Sequence, residues 1–178
     1  MTFFTRMIRE PASLAEDCVR GESLDRVVKR SLFAIVVGTA LFGAILGGTR
    51  GGMQVAYSAL KLPMALLVTL VVATPAFHAF AALAGKPMPL RSGSALVLAA
   101  LARASLALLA LSPLLWLAVD LGFGYHASIE VAVLLYGVAG LAAVSVIVQG
   151  LEGAPHRTRA TFAFLCVFLP VFAQTAWV

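Results

Sequence analysis

Charge is what this sequence has least of. Aspartate, glutamate, lysine and arginine together make up 12% of its 178 residues against 61% hydrophobic ones, where soluble domains carry roughly 25% charged and 45–50% apolar residues. A water-facing fold would leave long uncharged Leu/Ala/Val runs as exposed patches, and hydrocarbon removes that penalty. Acidic residues are scarcer than basic ones, 8 against 13, which leaves a formal charge of +5. Nucleic acid as a partner would need a concentrated basic face with base-stacking aromatics. Here the basic residues lie mostly between apolar segments, as topology signals do, so no nucleic acid is expected.

Cysteine is nearly absent too. Cys18 sits in an amphipathic stretch and Cys166 in an apolar one, so both read as small core residues, not as a disulfide pair, and no redox or metal-knuckle spacing occurs. A cleavable signal peptide is not expected, because the first apolar run begins near Ser31, after a segment rich in both charge signs. Neither a Walker motif nor a dinucleotide fingerprint occurs, and no cofactor is expected. Intramembrane proteolysis needs a nucleophile with a histidine base or paired His/Glu metal ligands. His78 stands alone at depth, and Ser105, Ser112 and Ser145 lack a glycine-rich nucleophile context. The chain therefore reads as non-enzymatic.

What is present is an all-α pattern: a polytopic bundle of five membrane spans preceded by short amphipathic interfacial helices. Residues 1–30 hold six basic and five acidic residues, with Phe3, Phe4, Met7, Ile8, Leu14, Ala15, Cys18 and Val19 at roughly helical spacing. Pro11 should break this segment, Ser13 to Glu16 reads as a capping box that restarts it, and Gly21 can close it as a C′ residue. Short helices lying on the membrane surface are expected. Residues 31–178 form the membrane domain. A hydrocarbon core of about 30 Å takes about 17–25 uncharged residues to cross, and five stretches qualify: Ser31–Gly48, Met64–Ala84, Ala95–Val119, Ile129–Gly150 and Phe162–Val178. Between the first two, Thr49–Pro63 reads as an interfacial helix feeding the second span, or else as an outward extension of it. The last stretch ends without a polar flank, so the chain either stops at the interface or continues past Val178. No internal repeat is evident, which withholds support from an inverted-repeat transporter.

Orientation follows from lysine and arginine, which concentrate in cytoplasmic segments. Ten of them (Arg6, Arg9, Arg20, Arg26, Lys29, Arg30, Lys86, Arg91, Arg157 and Arg159) fall on the side of the N-terminus, and two, Arg50 and Lys61, on the other. The N-terminus is expected in the cytoplasm and, with five spans, Val178 outside.

Few polar residues lie at depth. Arg103 sits inside the third span, where a charge costs about 2.5–3.5 kcal/mol at the centre. It either snorkels to the inner interface or pairs, and then Gln149 and Glu152 stand at plausible depth. His78 follows Pro75, where threonine or histidine can satisfy carbonyls freed by a kink, and this reading is preferred over a proton relay. Pro113 and Pro170 suggest further kinks. Asp120, His126 and Glu130 cluster around one connection and read as a solvated loop, since no i, i+4 histidine pair fixes metal geometry. Gly43 and Gly47 form a GxxxG match, and Gly137 and Gly140 line the fourth span, so these four are the candidate helix-packing residues.

The order of features resembles the Yip family of membrane proteins, bacterial branch. The run Phe4-Thr-Arg-Met-Ile-Arg-Glu-Pro11, then Leu14, Gly21 and Leu24, leads directly into the first span. The stretch from Gln54 through Tyr57, Lys61 and Pro63 continues by Thr69 and Pro75 to Gly85. The resemblance implies a membrane-embedded scaffold or adaptor with five spans and a cytoplasmic N-terminus, and supplies no catalytic residues. The alanine, arginine and glycine bias fits a bacterial inner membrane, where a Rab-type partner is not expected. Expected partners are membrane lipids and other membrane proteins or further copies of the chain. Two rivals make different demands: a small-molecule or lipid transporter needs a polar cavity lined by Arg103, His78 and Gln149, and an intramembrane hydrolase needs an acid or nucleophile within reach of His78.

Overall fold

The computed structural model describes residues 3–21, 24–156, 158–159, 161–162 and 165. Among the described residues six helices follow one another: α1 (Phe3–Arg9), α2 (Pro11–Arg20), α3 (Leu24–Gly48), α4 (Met53–Leu83), α5 (Leu90–Asp120) and α6 (Tyr125–Gly150). Four of these, α3 to α6, are long and apolar enough to cross a membrane. They cover the first four expected spans, and the fifth, Phe162–Val178, falls almost entirely outside the described residues. Each begins before its expected start, and α5 at 31 residues is about 46 Å long at 1.5 Å per residue, more than the hydrocarbon needs. The charged first turns of α3, with Asp25, Arg26, Lys29 and Arg30, stand where the chain leaves the apolar belt.

The interfacial helix expected over Thr49–Pro63 is not a separate element. Its residues from Met53 onward are the first turns of α4, which continues through Pro63 and Pro75. The break comes earlier, at Gly51 and Gly52, whose φ angles of 69° and 58° lie in the left-handed region that glycine enters without a Cβ penalty. The start of α4 is held in the bundle by α3. A Cβ at Gly43 would lie 2.5 Å from Ser58 O, and one at Gly47 2.6 Å from Gln54 O, so the GxxxG match brings two backbones of the same chain together. Gly38, which the spacing did not single out, does the same for α3 and α5, with Ser105 O 2.6 Å from the Cβ position.

α5 is the central element. Every residue from Ala95 to Ala102 is buried, all the way round the helix, because α3, α4, α6 and the N-terminal helices enclose this part of it. Towards the other end of the bundle a second cluster forms around Phe42, Leu62, Leu108, Leu115, Leu135, Tyr136 and Ala139, with Phe42 edge-on to Tyr136 at a centroid distance of 5.5 Å. α4 keeps an open face of Met64, Val68, Val71 and Val72, the stripe a lipid-facing helix presents.

The N-terminal helices lie against the bundle. Met7 of α1 and the apolar face of α2 are buried on protein: Met7, Leu14, Ala15 and Cys18 are at most 1% exposed and belong to the same core as Leu96, Ala99 and Ile147. α2 packs against α5 and α6. α2 also starts two residues before the expected capping box. Pro11 occupies the first turn, where its missing N–H costs nothing, and Ser13 Oγ donates to Glu10 O at 2.9 Å. Gly21 closes α2 at φ 78°, its N–H donating to Cys18 O at 3.3 Å. Burial, and secondarily the charge of Asp17, raises the Cys18 thiol from 9.0 to about 12. Thiolate is the reactive form, and a thiol held this high stays almost entirely protonated at pH 8. Maleimide should therefore modify the Cys18 peptide of the folded protein far more slowly than after SDS denaturation; equal rates would mean that α2 is not docked.

Candidate functional site

Three polar constructions and one apolar groove define the places where this bundle can meet something else. At the end of the bundle that carries the N-terminal helices, the termini of α4, α5 and α6 converge. The end of α6 lacks a basic residue in its last turn, so its terminal carbonyls have no cation of their own. Lys86, from the loop between α4 and α5, supplies one: Nζ donates to Gly150 O at 3.0 Å and to Glu152 O at 2.8 Å. The same two loops are joined by the His156 N–H to Ala84 O at 3.3 Å, and by Pro155 lying against Gly85. Lys86 was read from the sequence only as an orientation signal. Its location in one short loop, with the uncapped end of α6 beside the next loop on the same side, was the available hint.

Arg103 neither pairs with Gln149 nor with Glu152. α5 and α6 run antiparallel with Gly150 against the Leu96 side chain, and Arg103 lies seven residues further along α5, about 10 Å away. Its Nη2 instead donates to Ile8 O at 3.3 Å. α1 ends at Arg9, so this carbonyl belongs to a last turn without intrahelical partners. The other guanidinium nitrogen, Nη1, is buried without a hydrogen bond. Arg103 thus ties the first helix of the chain to the centre of the bundle.

Gln149 and Glu152 do come together, with Glu16, Val19, Arg20, Lys86 and Gly150, around a polar pocket of about 240 Å³. Gln149 Oε1 itself is buried and accepts no hydrogen bond. The Glu152 side chain is exposed. His78 lies apart on α4 with a buried Nδ1 that has no hydrogen-bond partner. The group that serves the backbone beside Pro75 is Thr74, whose Oγ1 donates to Leu70 O at 2.8 Å. The serines at depth are similarly engaged, Ser105 Oγ with Ala102 O, Ser112 Oγ with Leu109 O and Ser145 Oγ with Ala142 O, at 2.6–2.8 Å.

At the opposite end Asp120, His126 and Glu130 are all exposed. The ordered contact there is between loops: the Arg50 guanidinium lies 3.9 Å from the centroid of the Tyr125 ring, a cation–π pair that links the α3–α4 connection to the start of α6.

The apolar groove runs between α4 and α6 over α5. It has a volume of about 220 Å³ and is lined by Thr69, Ala73, Ala100, Leu101, Gly140, Ala143, Val144 and Ile147 among others, with Leu165 on its rim. The Thr69 hydroxyl is already spent on Ala65 O at 2.9 Å. Of the glycines expected to pack helices, Gly137 and Gly140 both line this groove, and a Cβ at Gly137 would meet no atom within 4 Å. Among the described residues Gly137 is therefore not a packing glycine. Arg103, His78 and Gln149 are not among the residues lining the groove. No protein-family model, curated protein or solved structure matches the chain.

Proposed function

We propose that the chain is a non-enzymatic scaffold, a subunit of a membrane complex of the kind the Yip resemblance implies, and that its groove between α4 and α6 receives a transmembrane helix of a partner subunit. In this reading it resides in a bacterial inner membrane with α1, α2 and the Lys86 loop facing the cytoplasm, as the ten-to-two distribution of basic residues favours. A fifth span from Phe162 then takes Val178 to the outer face.

The observation that carries the proposal is the chemistry of the groove. Gly140, Ala143, Ala100 and Ala73 are small, which lets another helix backbone approach closely, and in lipid that approach is what drives helix association. A transport path would instead gather Arg103, His78 and Gln149 around one cavity. They are dispersed: Arg103 is engaged with α1, Gln149 stands in the polar pocket, and His78 is on α4.

Site-specific photocrosslinking in native membranes tests this. A photoreactive residue at Leu141 on the groove should give one discrete adduct with a partner polypeptide, and one at Val71 on the lipid-facing side of α4 should give none. Filling the groove with Ala143→Trp should abolish the Leu141 adduct. Lipid adducts alone at both positions, or a crosslink confined to the chain's own mass, would overturn the reading.

A further inference from the structure

The two ends of α2 are fixed against α5 at different heights. Gly21, which closes α2, stands beside Ser92, whose Oγ lies 4.0 Å from where a Cβ on that glycine would be. At the other end Arg103 Nη2 holds Ile8 O at 3.3 Å, just before α2 begins at Pro11. Ser92 and Arg103 are eleven residues apart on α5, about 16 Å along its axis, and the 10 residues of α2 span about 15 Å. α2 therefore stands upright along α5, with Leu14, Ala15 and Cys18 in the core, and the α1–α2 junction is its deep end.

The same height can be followed round the bundle. Gly93 of α5 meets the Phe77 ring of α4, and the two helices run antiparallel, so nine residues further along α5 Ala102 is level with Val68. Thr69 and Ala73 accordingly share the groove with Leu101 and Val97. Val68 and Val71 are 63% and 72% exposed, an apolar surface that belongs in hydrocarbon. With α5 centred on a hydrocarbon layer of about 30 Å, its 31 residues overshoot by about 8 Å at each end, and Arg103 lies about 12 Å inside. At that depth the N-terminal side of the bundle shows Arg9 and Glu10, with Glu16 halfway along α2, all of them exposed. One face of the bundle is charged where the other is apolar.

A charge in hydrocarbon is costly, and a bilayer relieves it by thinning locally and admitting water. Arginine can snorkel along its stem, but the side chain of Glu10 is too short to climb to the edge. A partner protein fits poorly, because interface cores are depleted of charged residues. We propose that the leaflet at the basic end of the bundle thins along α1 and α2, so that water and phospholipid headgroups stand beside Glu10 and Ala12 at the height of Arg103, while hydrocarbon covers Val68. The notch leaves about 18 Å of hydrocarbon beyond it in place of about 30 Å. Side chains of both signs line it, so it needs no particular headgroup. It is independent of what occupies the groove between α4 and α6.

The test uses the purified chain carrying Cys18→Ala and Cys166→Ala, with a nitroxide on Ala12→Cys or on Val68→Cys, in vesicles of phosphatidylethanolamine and phosphatidylglycerol. Power saturation should show a water-soluble nickel chelate colliding several-fold more often with the label at position 12 than with that at position 68, and oxygen the reverse. Oxygen-rich, chelate-poor surroundings at both positions would overturn the proposal. Chelate access at both would overturn it too, by placing that height outside the bilayer altogether. A label at position 12 shielded from both probes would assign the face to a second copy of the chain and equally overturn it. A second reading uses the unaltered chain: a water-soluble carbodiimide with glycine ethyl ester should modify Glu10 in vesicles as readily as Glu152, and modification of Glu152 without Glu10 would count against the notch.

Discussion

Replacing Gly38 with leucine is expected to destabilise the bundle by about 3 kcal/mol, the upper part of the range for overpacking a close contact, and to lower its melting temperature in detergent by roughly 6–12 °C. A Cβ at this position would stand 2.6 Å from Ser105 O and 3.1 Å from Ser105 C. The obstruction is backbone of the central helix, which cannot swing aside as a side-chain end would, so α3 and α5 must separate along their length. The matched control is Gly137→Leu, whose added atoms meet open space. It should leave the melting temperature almost unchanged, and a loss equal to that of Gly38→Leu would show that the packing assignment of these two glycines is wrong.

Phe42→Ala should cost about 3–5 kcal/mol, as removal of a buried aromatic does when the cavity cannot collapse. Phe42 is fully buried and stands edge-on to Tyr136, joining α3 to α6 across the second cluster. Its neighbours Leu108, Leu115 and Ala139 sit on helices that also carry the groove. Phe42→Leu retains most of the volume and should recover more than half of the loss. If differential scanning fluorimetry in detergent finds the alanine variant as stable as the parent, the cluster does not hold the helices together.

Which parts of this could be read from the chain alone depends on how local their causes are. Span positions were legible because a run of uncharged residues is its own evidence, and the Gly43/Gly47 contact because its glycines recur one turn apart on one helix. The start of α4 stood between two readings, a separate interfacial helix and an outward extension of the second span, and the extension forms because the positive-φ pair Gly51 and Gly52 makes the turn just before Met53. Gly38 was missed because its partner is a serine carbonyl on another helix, and no spacing within α3 records that. The amphipathic stripe of α2 was legible as a stripe, yet periodicity does not say whether lipid or protein covers it. Leu14, Ala15 and Cys18 found α5 and α6. Arg103 and Lys86 share one cause of error. Lys86 was read only as an orientation signal and Arg103 as snorkelling or pairing with Gln149 and Glu152, whereas both donate to backbone carbonyls at helix ends, which carry partial negative charge but no residue name to search for.

That pattern also separates the two kinds of surface. Polar capacity is gathered at one end of the bundle, where α2, the Lys86 loop and the end of α6 meet, while the groove within the apolar belt has only small and hydrocarbon side chains around a threonine that is already bonded. The two surfaces share no lining residue.

The arrangement as a whole depends on the bundle crossing a bilayer with its basic end in one compartment. Single-cysteine labelling of membrane vesicles with an impermeant maleimide tests it most directly, at Ala12 and Glu152 on the basic end and at Gly51 and Gly122 on the other. The account predicts that Ala12 and Glu152 react together from the cytoplasmic side only, and Gly51 and Gly122 from the opposite side only. Ala12 and Glu152 reacting from different sides, or all four from the same one, would contradict it.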